Sequence, residues 1–188
     1  RLWRRRGELA GADVVLVPYP GYLDMPLARL AADDAGRPLA FDPFISIHDT
    51  LVMDRGLVRA GSPQAVACAL LDRLSLRLAD RVLADTAAHG QYFRGLGSLK
   101  AGRVAVVPVG ADDRRFAPRA AAPHPGIEVL FYGRGIPLHG VEVILSAADR
   151  LRDDARIRFQ LVGRGQTLAA AEAMALRLRL PNVDFHPV

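Results

Sequence analysis

Strands alternating with amphipathic helices along a 188-residue chain predict an α/β protein built on parallel sheets. Two further observations sharpen that prediction. From Ile127 to Val188 the order is strand, glycine turn, helix, strand, glycine turn, helix, strand, and both glycine turns fall where a strand hands over to a helix. From Ala111 to Gly126 the chain carries three prolines and an alanine run, which suits a linker between two α/β layers. The expected organisation is residues 1–110 as one layer, 111–126 as linker and 127–188 as a second, shorter one.

In the first layer, Val14 to Val17 suit a short buried strand, MPLARLAADDA a helix and PLAF a second strand, followed by the irregular stretch DPFISIHDTLVMDRGLVRAG. Ser62 and Pro63 supply an N-cap and a first-turn proline, opening a helix to about Ala79 with its apolar face at Val66, Leu70, Leu74 and Leu78. RVLAD is a strand, Thr86 caps a helix through Phe93, and RVAVVPVG is another strand. In the second layer, IEVLFYG leads to a helix presenting Val141, Ile144, Leu145, Ala148 and Leu151 on one face. FQLVGRG leads to a helix presenting Leu168, Ala171, Ala175 and Leu178, and NVDF is the last strand. Sheets assembled this way are expected to be covered on both faces. Three strands are few for an independent doubly wound layer, so a piece of a longer chain is expected.

With 51% hydrophobic residues and no low-complexity stretch, a packed core is expected and disorder is excluded. There is no apolar run long enough to span a bilayer and no signal-peptide pattern. Cys68, the single cysteine, allows no intrachain disulfide and is expected as a small core residue, in keeping with a cytoplasmic protein. The formal charge of +5 comes almost wholly from arginine, with Lys100 the sole lysine. These arginines are dispersed among acids without aromatic interleaving, so nucleic acid is not an expected partner. The five histidines lack metal-ligand spacing, and no metal site is expected. Arg73, Arg77 and Arg81 recur at helical spacing, either as a solvated face or as a contact for an anionic membrane surface or lipid-linked acceptor.

The glycine turns carry the chemistry. A glycine after a parallel strand lets backbone amides approach a ligand, and the following helix N-terminus favours negative charge. Gly133 and Arg134 in the first turn, and Gly163, Arg164 and Gly165 in the second, together suggest a diphosphate site. His139 lies at the start of the next helix, as a surface residue or a ligand contact. Asp42 precedes Pro43 at a strand end, where it serves ordinary turn chemistry or catalysis.

The ordered series ADRVLADTAAHGQYF, RVAVVPVGADDRRFAP, VLFYGRGIPLHGVEVILSAADRL, FQLVGRG and LPNVDFHPV resembles the middle of a family 4 glycosyltransferase, strongly from Asp80 to Val188 and more weakly before. The resemblance implies a GT-B-like fold of two Rossmann-like domains facing each other across a cleft. Residues 1–110 would then be the C-terminal part of the acceptor-side domain and 127–188 the first half of the nucleotide-sugar-binding domain. It implies sugar transfer from a nucleotide-diphosphate donor, with retention of configuration and no resident cofactor. The implied acceptor is a glycan or lipid-linked molecule, and the implied setting cytoplasmic or peripheral at the inner face of the membrane. Arg134 matches the family's diphosphate arginine, while His139 stands where the family has a lysine. Pro108, Val109 and Gly110 replace proline, asparagine and glycine, and Asp112 and Phe116 keep the pattern. His186 to Val188 fall where backbone groups would begin to line the nucleobase. The family's histidine after the PLAF-type strand aligns near Phe44, leaving Asp42 and His48 as the nearest polar candidates. Its N-terminal glycine loop would lie before Arg1 and its glutamate pair after Val188, so the segment alone is expected to be inactive.

Two other readings compete. A dinucleotide-dependent oxidoreductase fits poorly, because Gly133, Gly135 and Gly140 have the wrong spacing and FQLVGRG ends in glycine where a ribose-binding acid is wanted. A non-catalytic nucleotide-sugar-binding module is consistent with His139 and the missing motifs.

Overall fold

The structure is a computed structural model, and residues 11–118 and 125–186 are described. The chain divides into two compact units, Arg1–Phe116 and Ala117–Val188. Each carries its own parallel sheet.

The first unit runs β1 (Val15–Val17), α1 (Met25–Asp34), β2 (Leu39–Phe41), α2 (Pro63–Leu78), β3 (Arg81–Ala84), α3 (Ala87–Gly97) and β4 (Val104–Val106). Its strands pair in sequence order, all parallel, with Val15 opposite Leu39 and Val82 opposite Val104. Consecutive strands joined by crossovers of one hand place every connecting helix on the same face of the sheet. That face is the core: Val15, Val17, Leu39, Phe41, Val82 and Ala84 pack with Met25, Ala28, Leu76 and Phe93. Leu16, between two buried valines, is exposed. The expectation of sheets covered on both faces is therefore corrected: among the described residues, helices cover one.

A second correction concerns α2. Val66, Leu70 and Leu74 are 53%, 58% and 50% exposed, and of the four residues expected to face inward only Leu78 packs against the core. The inward face is instead Ala65, Asp72, Ser75 and Leu76. It accepts polar residues because their groups are satisfied: Ser75 Oγ donates to the Tyr22 carbonyl at 3.1 Å. Asp72, 1% exposed, accepts from Ser46 Oγ at 2.6 Å and from the amides of Ile47 and His48 at 2.9 and 3.0 Å. Cys68 is half-buried rather than a core residue. The arginine stripe is tied down in part, since Arg73 and Arg77 donate to the carbonyls of Leu96 and Gly97 at 3.2 and 3.0 Å, close to the end of α3. The strand expected to continue through Val109 is only three residues long.

The second unit runs β5 (Ile127–Arg134), α4 (Val141–Arg150), β6 (Ile157–Arg164), α5 (Leu168–Leu178) and β7 (Val183–His186). β5 and β6 pair in parallel over their whole length, from Ile127 opposite Ile157 to Arg134 opposite Arg164, and β7 joins β6. Phe159 and Leu161 face α4 and α5, packing with Val141, Leu145, Ala148, Leu168, Ala171 and Ala175. Those helix positions agree with the periodicity, except that Leu151 is exposed and Leu178 is half-buried outside this cluster. The other face is open and mixed, with Leu130 exposed on β5 while Arg158 donates to Asp184 at 2.7 Å and Gln160 to the same carboxylate at 3.1 Å. The Arg158 guanidinium, through its hydrogen bond, holds the Asp184 carboxyl below its ordinary range.

Candidate functional site

The two glycine turns lie side by side because they end one ladder. Gly133 is the register partner of Gly163, and Arg134 that of Arg164. Glycine is required at this seam. A Cβ on Gly163 would meet the Gly133 carbonyl oxygen at 1.9 Å, and one on Gly165 would meet Gly135 N at 2.6 Å. Gly133, Gly163 and Gly165 have φ of 152°, 146° and 153°, backbone that residues with a Cβ rarely adopt. The turns are also stitched together, with Gly135 N donating to Arg164 O at 3.2 Å and Thr167 N to Gly135 O at 2.9 Å. Gly135 therefore spends its amide on the neighbouring turn.

Beyond the seam, the ends of β5 and β6 border a hollow of about 350 Å³ lined by Tyr132, Gly133, Arg134, Val162, Gly163 and Arg164. Tyr132 is 79% exposed. Both arginines are exposed, and among the described residues neither guanidinium is engaged by a protein acceptor. Two permanently charged forks at neighbouring strand ends suit an anion with two acceptor groups. The helices that follow add to this: α4 starts from Gly140 at φ 58° and α5 from Thr167, and neither N-terminus has a side-chain cap. Leu168 N donates to Gly165 O at 3.3 Å and Val143 N to Gly140 O at 2.9 Å, so only part of each first turn is left open.

His139 closes the short 3₁₀ turn Pro137–His139 ahead of α4. Its Nδ1 is hydrogen-bonded to the Arg134 carbonyl, and its ring meets Phe131 edge-on at 5.9 Å. Of the expected diphosphate set, Gly133, Arg134, Gly163 and Arg164 line the hollow, Gly165 fixes the turn behind it, and His139 stands beside Gly133. His186 pairs with Gln160 at 2.5 Å on the open sheet face, and Val188 lies outside the described residues.

Asp42 belongs to the other unit. It is half-buried after β2, with its amide donating to Val17 O at 2.9 Å, as ordinary strand-end geometry requires. The loop beyond it is held by Tyr22, whose hydroxyl donates to the Ile45 carbonyl, and by Asp72. Burial first, and the nearby Asp72 charge second, push the Tyr22 hydroxyl far above its ordinary range. His48 is half-buried, with its amide on Asp72. Sequence reasoning missed Tyr132 and Val162 as lining residues, although period-2 alternation back from the turns marks both, and it missed Asp72 altogether. Among the described residues no group of three or more His, Cys, Asp or Glu could hold a metal ion.

Comparison with known proteins bears on the family and the fold. The chain is 31% identical to D-inositol 3-phosphate glycosyltransferase of Streptosporangium roseum and 33% identical to that of Nocardia farcinica, in each case over 64% of this chain and 30% of the relative. It thus spans about a third of the length of these curated relatives. Among solved structures, Anabaena Alr3699/HepE in complex with UDP superposes with a TM-score of 0.71 at 17% identity, over 99% of this chain and 51% of that one. The lipopolysaccharide outer core galactosyltransferase WaaB, in its apo form, gives 0.58 at 16% identity, over 99% and 47%. At these identities the likeness establishes the fold, an α/β arrangement of parallel sheets shared with GT-B glycosyltransferases. Residues 1–110 match the glycosyl transferase 4-like domain, so the chain belongs to that family.

Proposed function

We propose that this chain is part of an enzyme transferring a hexosyl group from a nucleotide-diphosphate sugar to an acceptor, and that the donor diphosphate lies against the paired turns. One observation carries the reading: Arg134 and Arg164 are register partners at the ends of two parallel strands, backed by glycines and uncapped helix N-termini. As the sugar departs, negative charge grows on the diphosphate, and a preorganised cation or amide aimed at it typically contributes about 10²–10³ in rate. The fold shared with the UDP-bound Anabaena protein supports a nucleotide sugar as donor.

Finer assignments stay within this proposal. Retention of anomeric configuration, a role in glycan biosynthesis, a glycan or lipid-linked acceptor and a cytoplasmic or inner-face setting are carried from the resemblance. Among the described residues no helix is long and apolar enough to cross a membrane. The proposal requires the donor and an acceptor, and no resident cofactor. His186 and Val188 are assigned to the nucleobase side, and Asp42 is retained as a candidate catalytic residue.

Isothermal titration with uridine diphosphate tests the reading. A charge-assisted hydrogen bond contributes about 1.5–3 kcal/mol. Arg134→Ala is therefore expected to weaken binding by roughly ten- to a hundredfold, and Arg164→Ala by a comparable factor, without loss of fold. If Arg134→Ala binds like the parent, the diphosphate is not held here.

A further inference from the structure

The outer side of α2 is built the wrong way round for a solvated helix. Val66, Leu70 and Leu74 recur every four residues and are all exposed, with exposed Arg73 and Arg77 on the same side of the helix. No acid accompanies them: the one carboxylate of the helix, Asp72, is buried and accepts from Ser46. α3 packs alongside, contains no acid, exposes Arg94 and is followed by exposed Lys100. The exposed acids of the three helices are Asp33 and Asp34, both on α1. Arg73 and Arg77 are also held in place, each with Nε on a carbonyl near the end of α3. That leaves the two terminal nitrogens of each fork for an outside acceptor. A hollow of about 340 Å³ is lined by Ala65, Val66, Ala69 and Leu70, with Arg73 and His48 its titratable residues.

An apolar stripe accompanied only by cations fits few occupants. A second copy meeting it about a two-fold axis would bring like arginines together, with no exposed acid on α2 or α3 to pair them. A nucleic acid would take the arginines but offer the three aliphatic side chains nothing apolar to enter. An anionic bilayer answers both parts: aliphatic side chains enter the boundary of the acyl chains while guanidinium groups stay at the phosphates. We propose that the α2–α3 face is a docking surface for an anionic lipid bilayer. The inference stands on the first unit alone and does not use the donor-site reading. The hollow gives room for part of an acyl chain next to Arg73. Each cation at such a surface contributes roughly fivefold in partition, and that attraction fades as salt is added.

The test is co-sedimentation of the full chain with vesicles of phosphatidylcholine alone and with about one-third phosphatidylglycerol, in roughly 0.1 M salt. Leu70→Gln with Leu74→Gln removes the stripe, and Arg73→Gln with Arg94→Gln removes charge from the face. Arg114→Gln with Arg115→Gln removes equal charge outside α2 and α3. All six positions are exposed, so each variant is expected to keep its fold, checked by its circular dichroism melt. The parent is expected to bind the anionic vesicles and not the neutral ones. The first two variants should lose roughly tenfold or more in partition, and the third should bind like the parent. A loss at Arg114 and Arg115 equal to that at the face would mean that net charge alone draws the chain to the vesicles, and would overturn the proposal. Unaltered binding by the leucine variant would overturn it too. A parent that dimerises in sedimentation velocity, and becomes monomeric without the leucines, would overturn it in favour of a second copy. Uridine diphosphate affinity should be the same in all four proteins, so failure here and failure of the donor site are read separately.

Discussion

The two units treat the same parallel-sheet grammar in opposite ways. In the first, Ser62 Oγ accepts from Ala65 N to cap α2, and Thr86 Oγ1 accepts from His89 N to cap α3. Its buried carboxylate accepts from the Ser46 hydroxyl and the Ile47 and His48 amides, and the Ser75 hydroxyl donates to the Tyr22 carbonyl. In the second unit neither helix has a side-chain cap, β5 and β6 each end in glycine followed by arginine, and the two exposed guanidinium groups stand at the ends of neighbouring strands. Where polar groups are satisfied internally they fix shape. Where they are left open at the C-terminal ends of parallel strands, they are available to a ligand.

The harshest way to break the contrast is Gly163→Ala. The new methyl would collide with the Gly133 backbone oxygen, at 1.9 Å and a φ of 146°, and backbone cannot swing aside as a side chain can. A loss of about 3 kcal/mol or more is expected, with hydrogen exchange accelerating in β5 and β6 while β1 to β4 stay protected. Persisting protection in β5 and β6 would mean that glycine pairing does not set the ladder. Asp72→Ala should act only on the other unit. It leaves the Ser46 hydroxyl and the Ile47 and His48 amides without their acceptor, and a loss of about 2–4 kcal/mol is expected, with uridine diphosphate affinity unchanged. A parallel fall in affinity would show that the two units are not separable in this way.

The smallest effect is at Asp80, whose carboxylate accepts from Arg29 at 2.8 Å and from the Leu39 amide at 2.7 Å. The Arg29 hydrogen bond first, then the Leu39 amide, lower its pKa. Such a group stabilises the fold above its unfolded pKa of about 4, and that contribution is lost as pH falls through the depressed value. The pair is half-exposed, so Asp80→Asn should cost only about 1 kcal/mol at pH 7. Urea midpoints of parent and variant should converge towards pH 3, and a gap that persists there would assign the effect to shape rather than charge.

The alternation of strands and helices, the caps at Ser62 and Thr86, and the glycine turns were all legible in the sequence, because each is a local signal. The inward face of α2 was not. Its apolar period points to Val66, Leu70 and Leu74, and only tertiary hydrogen bonds explain why Asp72 and Ser75 turn inward instead. The seam between Gly133 and Gly163 was half legible. Two similar turns are visible in the sequence, but their lying in one register depends on strands of equal length pairing from Ile127 and Ile157 onward. The hydrogen bond from His139 to the Arg134 carbonyl spans five residues of a turn whose path no periodicity fixes.

The register that aligns Arg134 with Arg164 also sets two arginines side by side on adjacent strands, whose backbones run roughly 4.8 Å apart. Directly opposed like charges weaken a sheet. On the proposed donor reading, a diphosphate held there would offset this repulsion, and the stability of the second unit and its affinity would draw on the same pair of residues. Trimming either arginine would then relax the sheet while blunting recognition, so under that reading selection for a sturdier fold and selection for donor affinity would pull this strand end in opposite directions.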